Sequence, residues 1–293
     1  MPLSNTTTHA NQLDPAMEEV YIDGMINAVD PSWQEIVRVR PATTLTIERV
    51  GINSPGEYTA KAAEGDDFGF VGMGAGHKKT YTLASSHLAF ELSELAADFY
   101  DRTALAEFVQ QIGRAAGRKF YDDAMGVLAG GFADTGPDGD PLFSSNHALD
   151  TGVYDNRLSG ALAEATLQTM ITTLRKTTSD AGVVLGCVPT HLVVPPELAF
   201  TAGELIGSTL SGDDMQINVV NGMGIKLLVS DALDDADDYF LVDANQFRAY
   251  QFIGKGSNPV TWVDMDSDNY RIKDRIVTVS GYDQWQGSVG ATV

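Results

Sequence analysis

The feature that most constrains this fold is a long glycine-rich segment between two stretches in which apolar and polar residues alternate. Residues 51–76 contain seven glycines. Residues 43–50 before them and 79–84 after them have the period of two that is typical of half-buried strands. The pattern predicts a large β-hairpin whose tip has too few apolar residues for a core of its own. Because so long a loop is unusual in a compact monomer, we expect the tip to lie on another chain.

The charge of the chain limits its partners. Its 293 residues include 40 Asp and Glu but only 19 Lys and Arg, so the formal net charge is −21. A protein that binds nucleic acid or an anionic membrane by neutralising phosphates needs a basic surface, which this composition does not favour. Apolar residues make up 43% of the chain, enough for a sizeable core, but no run of about 18 apolar residues predicts a membrane span. We expect no membrane partner.

The single cysteine, Cys187, cannot form a disulfide within the chain or a cysteine-rich zinc site. It lies between two predicted strands, and we expect a small buried apolar residue rather than a nucleophile. Residues 1–9 have neither the basic nor the apolar region of a secretory signal. These features predict a protein that is made and used in the cytosol, or in something assembled there.

Apolar periodicity predicts the remaining elements. Residues 103–129 have the clearest helical pattern, and residues 162–178 predict a second helix. Residues 1–35 are polar, with one short helix, and predict an arm that becomes ordered mainly against partners. From residue 183 the pattern is α/β, and long antiparallel strands are predicted near its end. The strands predicted in this part are residues 183–185, 191–194, 224–230, 239–243, 260–266 and 270–280.

Motifs for cofactor binding or catalysis are almost absent. Lys79 and Thr80 follow the glycine-rich segment, but a phosphate-binding loop needs glycine directly before the lysine, and Lys78 stands there. Neither Gly-x-Ser-x-Gly nor His-Glu-x-x-His occurs in the sequence. We therefore expect no cofactor and no enzyme activity.

The loop after the predicted long helix concentrates acidic side chains. Asp134, Asp138 and Asp140 suggest calcium, but an EF-hand loop counted from Asp138 needs an oxygen ligand where Leu142 stands. The Asp, Gly and Pro residues fit turn formation better, so we expect no metal here. A cytosolic hydrolase that uses Asp138, Asp140 and His147 is an alternative of a different class. Turnover by the soluble monomer that His147→Ala abolishes would favour it.

A basic patch stands out on this acidic chain. Its members lie within the predicted long helix and are Arg114, Arg118 and Lys119. The glycine-rich tip carries three acidic residues, which are Glu64, Asp66 and Asp67. We hypothesise that the acidic tip of one subunit meets the basic patch of the next. Exposed ion pairs contribute about 0–1 kcal/mol each, so such contacts would set register rather than strength.

Three motifs, taken in order, resemble one known family. The Mu-like major head subunits carry Asp-Gly-x-x-Leu-Phe followed by a nearby His, and the similar positions here are Asp138, Gly139, Leu142, Phe143 and His147. The strand at residues 90–94 and the turn at residues 185–199 match as well. From about residue 36 to 285 the chain thus resembles the major capsid protein of tailed bacteriophages, which has the Hong Kong 97-like fold.

The resemblance implies an α+β fold in five regions. They are an N-terminal arm at residues 1–35, an extended β-hairpin loop with flanking strands at 36–93, a peripheral domain with a long spine helix at 94–154, an α/β apical domain at 155–240, and return strands of the apical and peripheral domains at 241–293. The chain departs from the family in lacking a long helical N-terminal extension. Scaffolding would therefore come from a separate protein.

The resemblance also implies the function. The chain would be a major capsid protein that assembles as homo-hexamers and homo-pentamers into an icosahedral shell around double-stranded DNA. The implied partners are further copies of the chain, portal and scaffolding proteins, a decoration protein where the virus has one, and packaged DNA contacted nonspecifically. The shell would assemble in the host cytoplasm and form part of the virion. An encapsulin-type nanocompartment shell is the alternative within this fold, and a co-purified cargo enzyme would indicate it.

Overall fold

The protein combines α-helices with several β-sheets. The computed structural model describes residues 15–52, 75–93, 102–150, 152–208, 218–267 and 269–293. The α-helices in these ranges are α1 (Pro15–Ile26), α2 (Arg102–Ala129), α3 (Glu164–Arg175) and α4 (Ala199–Gly207). The strands are β1 (Val37–Pro41), β2 (Thr46–Ile52), β3 (Ala75–Thr82), β4 (Ala84–Leu92), β5 (His147–Leu149), β6 (Gly152–Tyr154), β7 (Arg157–Ser159), β8 (His191–Val194), β9 (Lys226–Val229), β10 (Tyr239–Val242), β11 (Ala249–Lys255), β12 (Val260–Val263), β13 (Tyr270–Tyr282) and β14 (Ser288–Thr292).

The first sheet is built around β13, which is 13 residues long. β13 pairs antiparallel with β4 along one edge and with β11 and β12 along the other, and β11 pairs in parallel with β1. Alternate side chains of β13, including those of Asp274, Ile276 and Thr278, are buried on one face. Ile276 belongs there to one buried cluster with Val109 and Ile112 of α2. The predicted long strand at residues 270–280 is therefore confirmed.

The second sheet has the strand order β7-β14-β10-β8-β9. Its strands β8 and β10 are buried throughout because both faces of the sheet are covered. Leu192 and Leu241 pack with α3 and α4 on one face, whereas Val193 and Phe240 face the core that includes α2. A continuously buried run such as His191–Val194 is typical of strands covered on both faces.

The long helix α2 connects two cores. Toward its C-terminus, Tyr121, Met125 and Leu128 are buried in the core beneath the second sheet. Toward its N-terminus, Val109 and Ile112 are buried beneath the first sheet. The helix predicted at residues 103–129 is confirmed, and it forms the spine on which both sheets rest. None of the described helices combines the length and apolar character that a membrane crossing requires.

Helix α1 lies against α2 at a glycine-lined crossing. A Cβ added to Gly113 would lie 2.2 Å from the carbonyl oxygen of Tyr21, and one added to Gly24 would lie 2.4 Å from the carbonyl oxygen of Gln110. The two backbones come so close here that only glycine, which has no Cβ, fits at either position. The glycines of both helices therefore set their separation.

Residues 15–35 differ from the arm predicted for them, because they pack on their own chain. Tyr21 is buried between α1, α2 and the first sheet. A 3₁₀ turn at Pro31–Glu35 follows, begun by Asp30, whose carboxylate accepts a hydrogen bond from the amide of Ser32. Trp33 in this turn is buried in the main core.

The strand predicted at residues 183–185 does not form. Val184 makes an isolated bridge to Thr178. The flanking Gly182 and Gly186 both have positive φ, 82° and 66°, which interrupts the extended run on either side. A short apolar stretch between two such glycines becomes a loop despite its composition.

Candidate functional site

The base of the predicted hairpin is present and is fastened to the body of its own chain. β2 and β3 pair antiparallel. Arg49 of β2 forms an ion pair of 2.7 Å with Asp283, and Tyr81 of β3 donates a 2.6 Å hydrogen bond to the carbonyl oxygen of Tyr282. Lys79 of β3 also donates to the backbone carbonyl of Thr135, shortly before the loop of residues 138–147 that carries the head-subunit motif and is called the signature loop below. Several contacts therefore hold β2 and β3, the base of the hairpin, to the body of the subunit.

The acidic residues expected at the tip of the hairpin lie outside the described residues. This applies to Glu64, Asp66 and Asp67. Their contacts with a neighbouring subunit stay a prediction.

The basic patch on α2 is largely paired within the subunit. Arg118 Nε lies 2.7 Å from Asp122 one turn along the helix, and its guanidinium also pairs with Asp231 in the loop after β9. Lys119 lies 2.6 Å from Asp123. These contacts connect α2 to its surroundings, so the charges of Arg118 and Lys119 are partly neutralised before any neighbour arrives.

Arg114 differs from its two basic neighbours. Its side chain is exposed on α2, and it forms no ion pair within the part of the chain that the structure describes. Of the three basic residues predicted to receive an acidic tip, Arg114 has the charge that is most available to another subunit.

The signature loop folds around the side chain of His147. His147 is fully buried, and its Nδ1 lies 2.7 Å from Oδ2 of Asp138. Its Nε2 lies 3.1 Å from Oδ1 of Asn156 and 3.3 Å from the carbonyl oxygen of Leu142. The ring stacks on Trp285, with centroids 4.3 Å apart and planes inclined by 11°. His147 thus connects the loop to Trp285, which lies between β13 and β14.

Asn156, which the sequence did not single out, fixes the backbone of this loop. Its Oδ1 accepts a 2.9 Å hydrogen bond from the amide of Ser144, and its Nδ2 donates to the carbonyl oxygens of Leu142 and Ser288 at 2.8 and 3.2 Å. The three bonds use both ends of the amide, so its orientation is determined. No motif marks Asn156, since its partners lie 9 to 132 positions away.

The apolar residues of the signature loop are part of the main core. Leu142 and Phe143 are fully buried, and Phe143 stacks on Phe240 with centroids 4.9 Å apart. A Cβ on Gly290 would lie 2.6 Å from the Phe143 ring, so glycine is required at that contact. Gly139, with φ of 96°, makes the loop turn. The structure therefore brings the signature residues together as a structural unit.

The arrangement does not support hydrolysis. A general base must reach the proton of a substrate, yet His147 is fully buried and the side chain of Asp138 is 8% exposed. Cys187 is buried too, and its burial raises the pKa of the thiol to about 11, which keeps it protonated and unreactive near neutral pH. The geometry does not favour the hydrolase alternative.

The family follows from a match that spans most of the fold. A family model described as phage capsid protein matches residues 78–289. That range contains α2, the signature loop and nearly all of both sheets. The chain belongs to the phage capsid protein family. Among curated proteins, none matches this chain.

Solved capsids have the same fold despite low sequence identity. The capsid protein of cyanophage P-SCSP1u has a TM-score of 0.62 at 8% identity, over 89% of this chain and 87% of that one. The capsid protein of bacteriophage JBD30 has a TM-score of 0.60 at 14% identity, over 70% and 92%. The virus-like particle from Pyrococcus furiosus has a TM-score of 0.58 at 8% identity, over 94% and 97%.

These comparisons bear out the main predictions from the sequence. The α+β, Hong Kong 97-like capsid fold is confirmed, and this phage capsid protein is a structural component of the virion. The family match supports a phage capsid more than an encapsulin-type shell. The closer similarity to the Mu-like head subunits stays a prediction.

Proposed function

We propose that this capsid protein is the major head protein of a tailed phage. Its copies assemble as homo-hexamers and homo-pentamers into an icosahedral shell that encloses double-stranded DNA. The family match over residues 78–289 carries the proposal, because it includes the spine helix and nearly all of both sheets.

Exposed apolar side chains on separate elements support self-assembly. Phe200 on α4 is 86% exposed, Ile26 on α1 is 66% exposed and Val50 on β2 is 55% exposed. These residues belong to the α4 surface, the α1 surface and the hairpin base, so they favour contacts with more than one neighbour. Obligate assemblies bury about 2,000–5,000 Å² per interface, which is enough to cover surfaces of this kind.

The anchored hairpin base supports a contact between neighbouring subunits. Residues 53–74 begin and end at strands that are fixed to the body through Arg49 and Tyr81. In the proposed shell this segment lies on the adjacent subunit, where its acidic residues meet Arg114. Such exposed pairs contribute about 0–1 kcal/mol each and select the register of the two subunits.

The further partners in the proposal follow from the role of a head protein. They are portal and scaffolding proteins, packaged DNA contacted nonspecifically on the inner face, and a decoration protein where the virus has one. The JBD30 capsid is described as decorated with minor capsid protein trimers. The net charge of −21 repels the phosphates of DNA, so this contact should be weak and nonspecific.

Electron microscopy of the expressed full chain tests the proposal. We expect closed particles with icosahedral symmetry, formed either by the chain alone or with the scaffolding protein from the same genome. A chain that stays monomeric at high concentration under both conditions would contradict the proposal.

A matched pair of variants at Phe200 adds a structural control. Phe200→Asp places a charge on an 86% exposed position, so we expect an intact subunit that no longer assembles. Phe200→Leu keeps the position apolar and should still form particles. Equal assembly by both variants would mean that α4 does not contribute to a subunit contact.

A further inference from the structure

Three potential metal ligands converge in the signature loop. One ligand atom from each of Asp138, Asp140 and His147 lies within 4.8 Å of the others. Asp138 and Asp140 are partly buried and His147 is fully buried. A cluster of acids alone would be ordinary turn chemistry, but this cluster also contains a buried imidazole.

The hydrogen bonds of His147 determine which of its ring nitrogens is available. Nε2 faces Oδ1 of Asn156 and the carbonyl oxygen of Leu142, and both of these atoms are acceptors. Nε2 therefore carries the N–H. Nδ1 lies 2.7 Å from the carboxylate of Asp138, which is a hydrogen-bond distance, so a cation that binds both groups must displace the proton between them. A metal-binding histidine typically donates its other N–H to a carbonyl in this way.

The hydroxyl of Tyr282 is the second, independent observation. Tyr282 is 7% exposed, and its hydroxyl has no hydrogen-bond partner among the described residues. The hydroxyl lies against Gly136, between Asp134 and Asp138 in the chain, where a Cβ would be 2.2 Å away. Burial and then the charges of Asp138, Asp134 and Asp140 raise the pKa of Tyr282. An unpaired buried donor at this position costs free energy unless a further group completes the site.

We propose that Asp138, Asp140 and His147 bind one divalent transition-metal cation, such as Zn²⁺ or Mn²⁺. Two carboxylates and one imidazole suit these cations better than Ca²⁺ or Mg²⁺, which prefer oxygen ligands alone. The Tyr282 hydroxyl lies beside Gly136 in the same loop and, having no partner among the described residues, could donate to a water bound to the metal.

The EF-hand argument from the sequence does not apply to this site. That argument required an oxygen ligand where Leu142 stands. The proposed site instead uses His147 and the distant Tyr282, which β13 brings to the loop. Because all three ligands lie within residues 138–147, the cation would rigidify this loop in each subunit, so it would stabilise the fold rather than catalyse a reaction.

Metal binding by the full chain tests the proposal. The protein is stripped with a chelator and titrated separately with ZnCl₂ and MnCl₂ by calorimetry. We expect one equivalent of at least one of these ions per subunit and a raised Tm. Asp140→Asn should bind it about tenfold more weakly or worse. The control Asp237→Asn changes an exposed acid in another turn and should bind as the wild type does. The proposal would be overturned if neither ion showed saturable binding, or if all three proteins bound the ion equally.

Nitrogen NMR of ¹⁵N-histidine-labelled wild-type subunit gives a readout that does not depend on a variant folding. On saturation with the ion that binds, the Nδ1 signal of one buried histidine should change to that of a metal-bound nitrogen, while its Nε2 keeps its proton. If both nitrogens of His147 remain protonated at saturation, the ring is a buried cation paired with Asp138, and the proposal is wrong.

Discussion

The hydroxyl of Tyr21 donates a 2.8 Å hydrogen bond to Oδ2 of Asp274, 253 positions later in the chain. Burial raises the pKa of Tyr21, so the phenol stays a neutral donor. Asp274 is buried as well and accepts bonds from the amides of Asn258 and Arg275 at 3.0 and 2.8 Å. This one carboxylate therefore connects α1 to the central strand of the first sheet.

Removing the Tyr21 hydroxyl should destabilise the subunit. Tyr21→Phe leaves Asp274 buried with one donor fewer, and we expect the free energy of unfolding to fall by about 1–3 kcal/mol. Urea unfolding of the unassembled subunit measures the change. Tyr270→Phe removes the hydroxyl of a 43% exposed tyrosine on the same strand and should change the free energy by less than about 0.5 kcal/mol. Equal effects would show that the Tyr21–Asp274 bond adds nothing.

Replacing two glycines of α2 with alanine, one at a time, should change the free energy of unfolding in opposite directions. Gly113→Ala places a methyl group 2.2 Å from the carbonyl oxygen of Tyr21, so α1 must move away. We expect a loss of about 1–3 kcal/mol despite the higher helix propensity of alanine. Nothing lies within 4 Å of a Cβ at Gly126, so Gly126→Ala should stabilise the subunit by up to about 1 kcal/mol. The sign of each change in urea unfolding is the readout, and a stabilising Gly113→Ala would contradict the close helix contact.

Acid should destabilise the fold through His191. Burial lowers the pKa of His191 below its ordinary value of 6.5, although Glu35 opposes this. The folded state therefore binds fewer protons than the unfolded state below about pH 6.5. The free energy of unfolding should therefore decrease as the pH is lowered through this range, by at most about 1.4 kcal/mol per pH unit, until the folded histidine is itself protonated.

Unfolding between pH 7 and 5.5 isolates this effect. Lys226, and less strongly His191, lower the pKa of Glu35, so its own contribution is lost only below its ordinary value of 4.5. His191→Gln should have a flatter dependence on pH than the wild type, whereas His87→Gln, on the exposed part of β4, should not. Parallel curves for wild type and His191→Gln would exclude His191 as the cause.

The sequence was most informative where a periodic pattern is long. The apolar pattern of residues 103–129 predicted a helix that occupies Arg102–Ala129, and the alternation at 270–280 predicted the strand Tyr270–Tyr282. In each case many side chains repeat one environment, so single exceptions do not matter. The three residues at 183–185 had no such redundancy, and the glycines beside them prevented a strand.

Contacts between distant residues could not be predicted from the sequence. The glycine-lined crossing of α1 and α2 requires Gly24 to meet Gln110, and nothing local marks that pairing. The ionic pairs of Arg118 and the stacking of His147 on Trp285 are likewise set by the tertiary fold. The signature loop could be recognised by resemblance, but its closure by Asn156 became visible only in three dimensions.

Reversing the charge of Arg114 should slow assembly. If the acidic hairpin tip of a neighbour meets this exposed arginine, Arg114→Glu replaces an attraction with a repulsion, and the rate of particle formation should fall several-fold at low salt. Arg175→Glu makes the same change of charge at an exposed position on α3 and should have a smaller effect. Arg118→Glu is a poor probe, because it also breaks pairs with Asp122 and Asp231. Light scattering that shows the same rate for Arg114→Glu and wild type would contradict the contact.

Salt should favour assembly of the wild-type shell. Each subunit carries a formal charge of −21, and bringing many such subunits together increases their mutual repulsion. The Debye length falls from about 30 Å at 0.01 M to about 10 Å at 0.1 M ionic strength, so NaCl screens most of this repulsion. We expect light scattering to show faster assembly as NaCl is raised over this range, and divalent cations to act at lower concentrations. Assembly that is fastest at the lowest salt would mean that attractive pairs such as those at Arg114 outweigh the net repulsion.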